Sequence, residues 1–137
     1  MKRVLALDVG EVRIGLAYSD TLGISANPLE TYKVKHTEQD FLHIADIVKK
    51  YDIGTIVIGL PLNMDGTEGV RVEKMRAFAD KLKEYVSLPI EWQDERLSSV
   101  TAEDALIEQG MRREKRRTVI DRVAAVVILR AYLDKIC

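Results

Sequence analysis

Four acids stand where carboxylates could do chemistry: Asp8, Asp94, Glu95 and Asp121. Asp8 lies near the end of an almost wholly apolar run, Val4-Leu5-Ala6-Leu7-Asp8-Val9, with Gly10 next. Such a run reads as a strand buried on both faces. A carboxylate there gives up hydration that hydrogen bonds, a cation or a proton must replace. Trp92-Gln93-Asp94-Glu95-Arg96 places two acids just past the last predicted strand, with side chains on opposite sides if the extended backbone persists. Asp121 falls on a helix face with Ala124, Ala125 and Ile128, a small, apolar stripe on which an idle surface charge is out of place. Each acid also has a plainer reading. Asp8 suits a turn, Asp94 and Glu95 suit surface pairing with Arg96, and Asp121 suits a helix first turn or an ion pair with Arg117 or Arg122.

Taken together, the acids favour a metal. Three carboxylates from a strand, a strand end and a helix can hold hard divalent cations, and Mg2+ or Mn2+ is the expected cofactor. Two such ions about 4 Å apart can activate water and stabilise the leaving oxygen in phosphodiester cleavage. His36 and His43 flank the start of the first predicted helix without a cysteine near them, a poor zinc pattern.

The elements that must position these acids follow from periodicity. Residues 3–9 and 14–20 read as a hairpin pair, and a third strand runs from about 26 to 34. Thr37 is placed to cap a helix carrying Phe41, Ile44, Ala45, Val48 and Tyr51 at helical spacing. Residues 55–61 form a β-branched central strand, and 63–67 a turn-rich loop. A long helix follows, with Val72, Met75, Ala79, Leu82 and Val86 on one face, and then a short strand over 88–93. A helix starting at Ser98 or Ser99 ends near Gly110, and a basic run at 112–117 leads into a last helix capped by Thr118. This order predicts an α/β domain with a mixed sheet and helices packed on its faces. In open sheets of this kind ligands gather at the carboxyl ends of the parallel strands, where Asp8, Leu60-Pro61 and Asp94-Glu95 all sit.

Composition bounds the function. The chain has 137 residues, 47% hydrophobic and 31% charged, which suits one globular domain. Cys137 is the only cysteine, so no internal disulfide can form, as expected of a cytoplasmic protein. No run is long enough to span a membrane, and no membrane partner is expected. A net charge of −1 argues against a uniformly basic coat and leaves room for a local basic patch.

The motifs resemble a known family. Leu7-Asp8-Val9-Gly10, Arg13-Ile14-Gly15-Leu16-Ala17 and Ser19-Asp20 are similar to the opening motif of the YqgF (RuvX) family. Residues 59–66 resemble its second motif, Asp94-Glu95-Arg96-Leu97-Ser98-Ser99 its third, and Asp121-Arg122-Val123-Ala124-Ala125 its fourth. Val12 departs from the opening motif, where many members carry a polar or basic residue. The resemblance covers essentially the whole chain. It implies a single ribonuclease H-like domain over 1–137, related to RuvC-type Holliday-junction resolvases. The expected sheet has five strands, with strands 1–3 antiparallel and strands 1, 4 and 5 parallel. It also implies a cytoplasmic nuclease that processes the 5′ end of precursor 16S ribosomal RNA.

Carried onto this chain, the resemblance makes Asp8, Glu95 and Asp121 the catalytic and metal-binding acids, with Asp94 as the rival of Glu95. The basic run Arg112, Arg113, Lys115, Arg116 and Arg117 fits a phosphate-binding loop, and its plainer reading is a solvated turn. Asn63, Gly66, Arg13 and Arg96, all within the matching motifs, join that run as expected nucleic-acid contacts. The expected partners are structured RNA, in the form of precursor ribosomal RNA and the ribosome that contains it, or branched DNA cut by a junction resolvase. A resolvase making paired cuts should be a homodimer, whereas an RNA-processing enzyme could be a monomer. Two other classes compete: a non-catalytic nucleic-acid-binding module, and the Asp-x-Gly phosphate-binding start of sugar kinases and actin-like ATPases. The latter use two such domains.

Overall fold

The computed structural model describes residues 2–60, 69–94 and 113–136, and side chains of the last helix from residue 123. Five strands form one sheet in the order β3-β2-β1-β4-β5. They are β1 (Arg3–Val9), β2 (Arg13–Ser19), β3 (Ala26–Lys33), β4 (Ile53–Leu60) and β5 (Ile90–Asp94). β1 pairs antiparallel with β2, β2 antiparallel with β3, and β1-β4 and β4-β5 pair parallel. This is the expected mixed sheet. The three described helices are α1 (Glu38–Lys50), α2 (Val70–Leu82) and α3 (Arg113–Ile136). The helix expected between Ser98 and Gly110 lies outside the described residues.

Strand alternation divides β1 between two cores. Leu5, Leu7 and Val9 pack with Ile14, Leu16, Ile56 and Ile58 against α1 and α2. Val4 and Ala6 pack with Ala17 and Val57 against Ala125, Ile128, Leu129, Tyr132 and Leu133 of α3. The sheet is therefore covered on both sides, which explains why its central strands read as continuous apolar runs.

The helices form where their apolar periodicity predicts. Thr37 caps α1, its side-chain oxygen accepting from the Gln39 amide at 3.3 Å. On α2 the buried stripe is Val72, Met75, Ala79 and Leu82; the helix ends there, and a turn carries Val86 into the same core. Two expectations are corrected. Thr118 does not cap the last helix, because α3 already includes Arg113, so residues 113–117 are helical rather than a loop. Arg, Lys and Glu are strong helix formers, and a run without apolar residues shows no periodicity to reveal it. Asp94 is the last residue of β5 rather than the first beyond it.

Candidate functional site

Asp8 sits at the carboxyl end of β1, half-buried and directly opposite Gly15 of β2. Its neighbours Leu7 and Val9 belong to the α1/α2 core, so alternation turns Asp8 to the α3 face, in line with Ala6. Continuing the β1-β4 register one step past Leu7↔Ile58 brings Gly59 beside it. Asp8 therefore has a glycine from each neighbouring strand on its own face. Arg13, two residues before Gly15, shares that face and is also half-buried.

β5 separates the two candidate acids that follow it. Trp92 is in register with Ile58 and packs toward α1 and α2, whereas Gln93 is in register with Gly59 and lies on the α3 face. Asp94, paired with Leu60, returns to the α1/α2 side and is exposed. It thus faces away from Asp8, which counts against Asp94 as a co-ligand. The Gln93 side-chain oxygen Oε1 is buried and has no hydrogen-bond partner among the described residues. Glu95 and Arg96 lie outside the described residues, as do Asn63, Gly66 and Arg112.

Asp121 is helical, one turn before Ala125, and its side chain is not among those described. The neighbours that made it a candidate behave as expected: Ala124 and Ala125 are fully buried and Ile128 nearly so. Farther along α3, burial raises the Tyr132 phenol above its usual range, with the charge of Glu91 adding to it. Among the described residues no cluster of three His, Cys, Asp or Glu side chains forms a metal site. Glu95 and the side chain of Asp121, the two acids expected to act with Asp8, lie outside those residues.

Other parts of the opening motif serve the fold. Ser19 is fully buried at the opposite end of the sheet, where its hydroxyl accepts from the Val4 amide at 2.8 Å and donates to the Asp20 carbonyl at 2.9 Å. The Asp20 carboxylate accepts from the Ile24 amide at 2.9 Å, and that bond holds its pKa below the usual value. At the site end, the Gly10 amide donates to the Arg13 carbonyl at 2.9 Å. A Cβ on Gly10 would approach that carbonyl oxygen to 2.8 Å, so the β1-β2 turn requires glycine.

A cavity of about 710 Å³ opens on the α1/α2 face, lined by the β1-β2 turn, the start of α1 and one side of α2. Asp8 does not line it. Two of its acids are engaged: Glu11 pairs with Lys74, and Asp40 is consumed by the protein. Asp40, 4% exposed, accepts from the Tyr32 hydroxyl at 2.8 Å and from the Lys35 and His36 amides at 2.9 and 3.0 Å. This fixes the β3-α1 connection, where His36 adopts a φ of 56°. Burial and then Asp40 raise the Tyr32 phenol to about 12. The sequence holds one signal for Asp40: Thr37-x-x-Asp40 has capping-box spacing. The cavity is large, yet its buried acid is spent on the fold.

Known proteins agree with this architecture. A family model described as RuvX, Holliday junction resolvase, matches residues 2–135, and the chain belongs to that family. A Streptococcus thermophilus protein named "Putative pre-16S rRNA nuclease" is 46% identical over 136 residues, covering 97% of this chain and 98% of its own. One of the same name from Halalkalibacterium halodurans is 48% identical over 135 residues, covering 97% and 96%. Among solved structures, Thermus thermophilus RuvC in complex with a Holliday junction substrate superposes with a TM-score of 0.57 at 13% identity, covering 99% of this chain and 96% of its own. Fowlpox virus resolvase with Holliday junction DNA gives 0.60 at 11% identity, covering 98% of each chain. These two show the shared fold, which is that of the ribonuclease H-like resolvases. No described helix is long and apolar enough to cross a membrane.

Proposed function

We propose that this chain, as one domain over 1–137, is a cytoplasmic, metal-dependent endonuclease that trims the 5′ end of precursor 16S ribosomal RNA during ribosome assembly. The observation that carries the proposal is the position of Asp8 at the carboxyl end of β1, on the α3 face and between glycines, in a chain 46% identical to a relative named "Putative pre-16S rRNA nuclease". The groups on this face suit a hard cation. Asp8 offers carboxylate oxygens, Gln93 offers a buried and unpaired oxygen, and neither His36 nor His43 is on the strands that form the site.

In this reading Asp8, Glu95 and Asp121 hold Mg2+ or Mn2+. Bound there, the ion supplies the Lewis acidity that lowers the pKa of water and neutralises charge on the scissile phosphate. Asp8 contributes the fixed negative charge that positions the site, and the glycines beside it leave room for a sugar-phosphate backbone. Arg13, Arg96, Asn63, Gly66 and the cations of residues 112–117 contact that backbone and set its register. Arg113, Arg116 and Arg117 fall at i, i+3 and i+4 of α3, positions that share one helix face.

The family description favours a second reading, a resolvase cutting branched DNA. Incubation of the protein with precursor 16S ribosomal RNA and with a four-way DNA junction, each with and without Mg2+ or Mn2+, separates the two. The expected result is metal-dependent cleavage of the RNA by a monomer, with the junction left intact. Paired cuts in the junction by a homodimer would replace the RNA reading with the resolvase. Tight binding of either substrate with no cleavage under any metal would leave a binding module.

A further inference from the structure

We infer that Gln93 is a positioning residue of the Asp8 site, its side-chain oxygen accepting a hydrogen bond from a water on the cation that Asp8 holds; the inference rests on the metal-dependent reading above. Three observations meet here. Gln93 Oε1 is buried and has no hydrogen-bond partner among the described residues. Gln93 is in register with Gly59, and alternation turns it to the α3 face, the face of Asp8. Gly59, the residue between the two, has no side chain to fill the gap.

Two strand spacings separate Asp8 and Gln93, roughly 10 Å between their Cα atoms. Across that spacing a carboxylate and a carboxamide are bridged more readily by a hydrated ion than by direct contact. Mg2+ and Mn2+ suit that interval, because such cations keep several of their waters when bound to protein. Each retained water is a strong donor that needs an acceptor. A buried acceptor left unmatched is costly, and few persist in folded proteins without a ligand or a functional reason. The outer partners of a metal site orient its inner ligands, and losing one typically weakens metal binding by about 10- to 100-fold. Gln93 has no part in the α1/α2 core, since its neighbours Trp92 and Asp94 take that side of the strand.

The test is Mn2+ binding by the full chain, read from the electron paramagnetic resonance signal of free Mn2+, alongside melting curves of the metal-free protein. The variants are Gln93→Met, which keeps the length and removes the acceptor, Gln93→Glu, which keeps it, and Asp8→Asn. Gln93→Met should raise the Mn2+ Kd about tenfold or more while metal-free melting stays level or rises, because an unpaired buried oxygen has gone. Gln93→Glu should bind Mn2+ at least as tightly as the unaltered chain. An unchanged Kd in Gln93→Met, beside a clear loss in Asp8→Asn, would overturn the role of Gln93 and leave the metal site standing. An unaltered chain that binds no Mn2+, or an Asp8→Asn variant that binds it equally well, would overturn both. A fall in metal-free melting with no change in Kd would make Gln93 a packing residue only.

Discussion

The two faces of the sheet are built from different materials. On the α1/α2 face large side chains meet: Leu5, Leu7, Ile14, Leu16, Ile56 and Ile58 from the strands, and Ile44, Met75 and Leu82 from the helices, all nearly or fully buried. On the α3 face the strands contribute smaller residues, Val4, Ala6, Ala17 and Val57, against Ala125, Ile128, Leu129, Tyr132 and Leu133, with glycines at 15 and 59 toward the carboxyl end. Large interlocking side chains fill most of that side; at its far end Arg3 Nη1 donates to the Tyr51 carbonyl at 3.1 Å, while Arg3 Nε is buried with no partner among the described residues. Asp40, the buried acid on that side among the described residues, takes three hydrogen bonds from the protein itself. Strand alternation places Asp8, Arg13 and Gln93 at the far end of the α3 face. The contrast teaches that the size of a cavity is a poor guide here. The α1/α2 face has the large opening, but the α3 face gathers a carboxylate, a guanidinium and an unmatched carboxamide oxygen at one strand end.

Three predictions put that contrast at risk. The largest effect should come from the α1/α2 core. Leu16→Ala should destabilise the protein by about 3 kcal/mol, within the range for a fully buried leucine, with cleavage per folded molecule unchanged. Denaturant melts and an assay normalised to folded protein check this; a loss of turnover beyond the loss of folded protein would show that the two faces are coupled. Next is the Asp40 network. Tyr32→Phe should cost about 1.5 kcal/mol, since it removes a hydrogen bond to a charged group. The sign of its pH dependence follows from the raised Tyr32 pKa. The folded protein holds that proton up to about 12, above the usual 10, so the stabilisation is complete below pH 10 and is lost as pH rises toward 12. Tyr32→Phe should lack that alkaline loss, and an identical profile in the two proteins would remove Tyr32 from the account.

The smallest expected effect concerns the basic stripe of sequence at 112–117. Replacing Arg112, Arg113, Arg116 and Arg117 with Ala should leave Mn2+ binding intact, and alanine suits the helix that begins at Arg113. Nucleic-acid affinity should fall, and the log-log salt slope should flatten by roughly 0.7 to 0.9 for each phosphate that no longer meets a cation. Binding measured at several salt concentrations decides it. Equal affinities and slopes would mean that this stripe is a solvated surface, as the net charge of −1 suggests for the chain as a whole.

Much of this is legible in the sequence, and the exceptions have physical causes. The strand positions, the mixed sheet and the buried stripe of α2 follow from apolar periodicity, which packing on both faces enforces, and the parallel and antiparallel pairings from the family resemblance. The carboxyl-end position of Asp8 follows from the same run. The helical state of residues 113–117 does not show, because a fully polar run has no period and its basic charge suggests a loop. Asp40 shows only in the Thr37-x-x-Asp40 spacing, because a first-turn acid looks the same whether it is solvated or bonded to the preceding loop. The difference between Asp94 and Gln93 also waits for the fold. Both are polar residues at a strand end, and only the register with Leu60 and Gly59 assigns them to opposite faces.

The central claim is that Asp8 supplies a charge the chemistry needs and the fold does not. Asp8→Asn tests it most directly, since Asn is nearly isosteric and lacks the charge that holds a cation. Cleavage of precursor ribosomal RNA would be measured at saturating Mg2+ or Mn2+ together with melting of the metal-free protein. The account predicts a loss of turnover of about a thousandfold or more, equivalent to about 4 kcal/mol of transition-state stabilisation, with melting unchanged or raised as repulsion among the acids is relieved. Unchanged turnover in Asp8→Asn at saturating metal would contradict it.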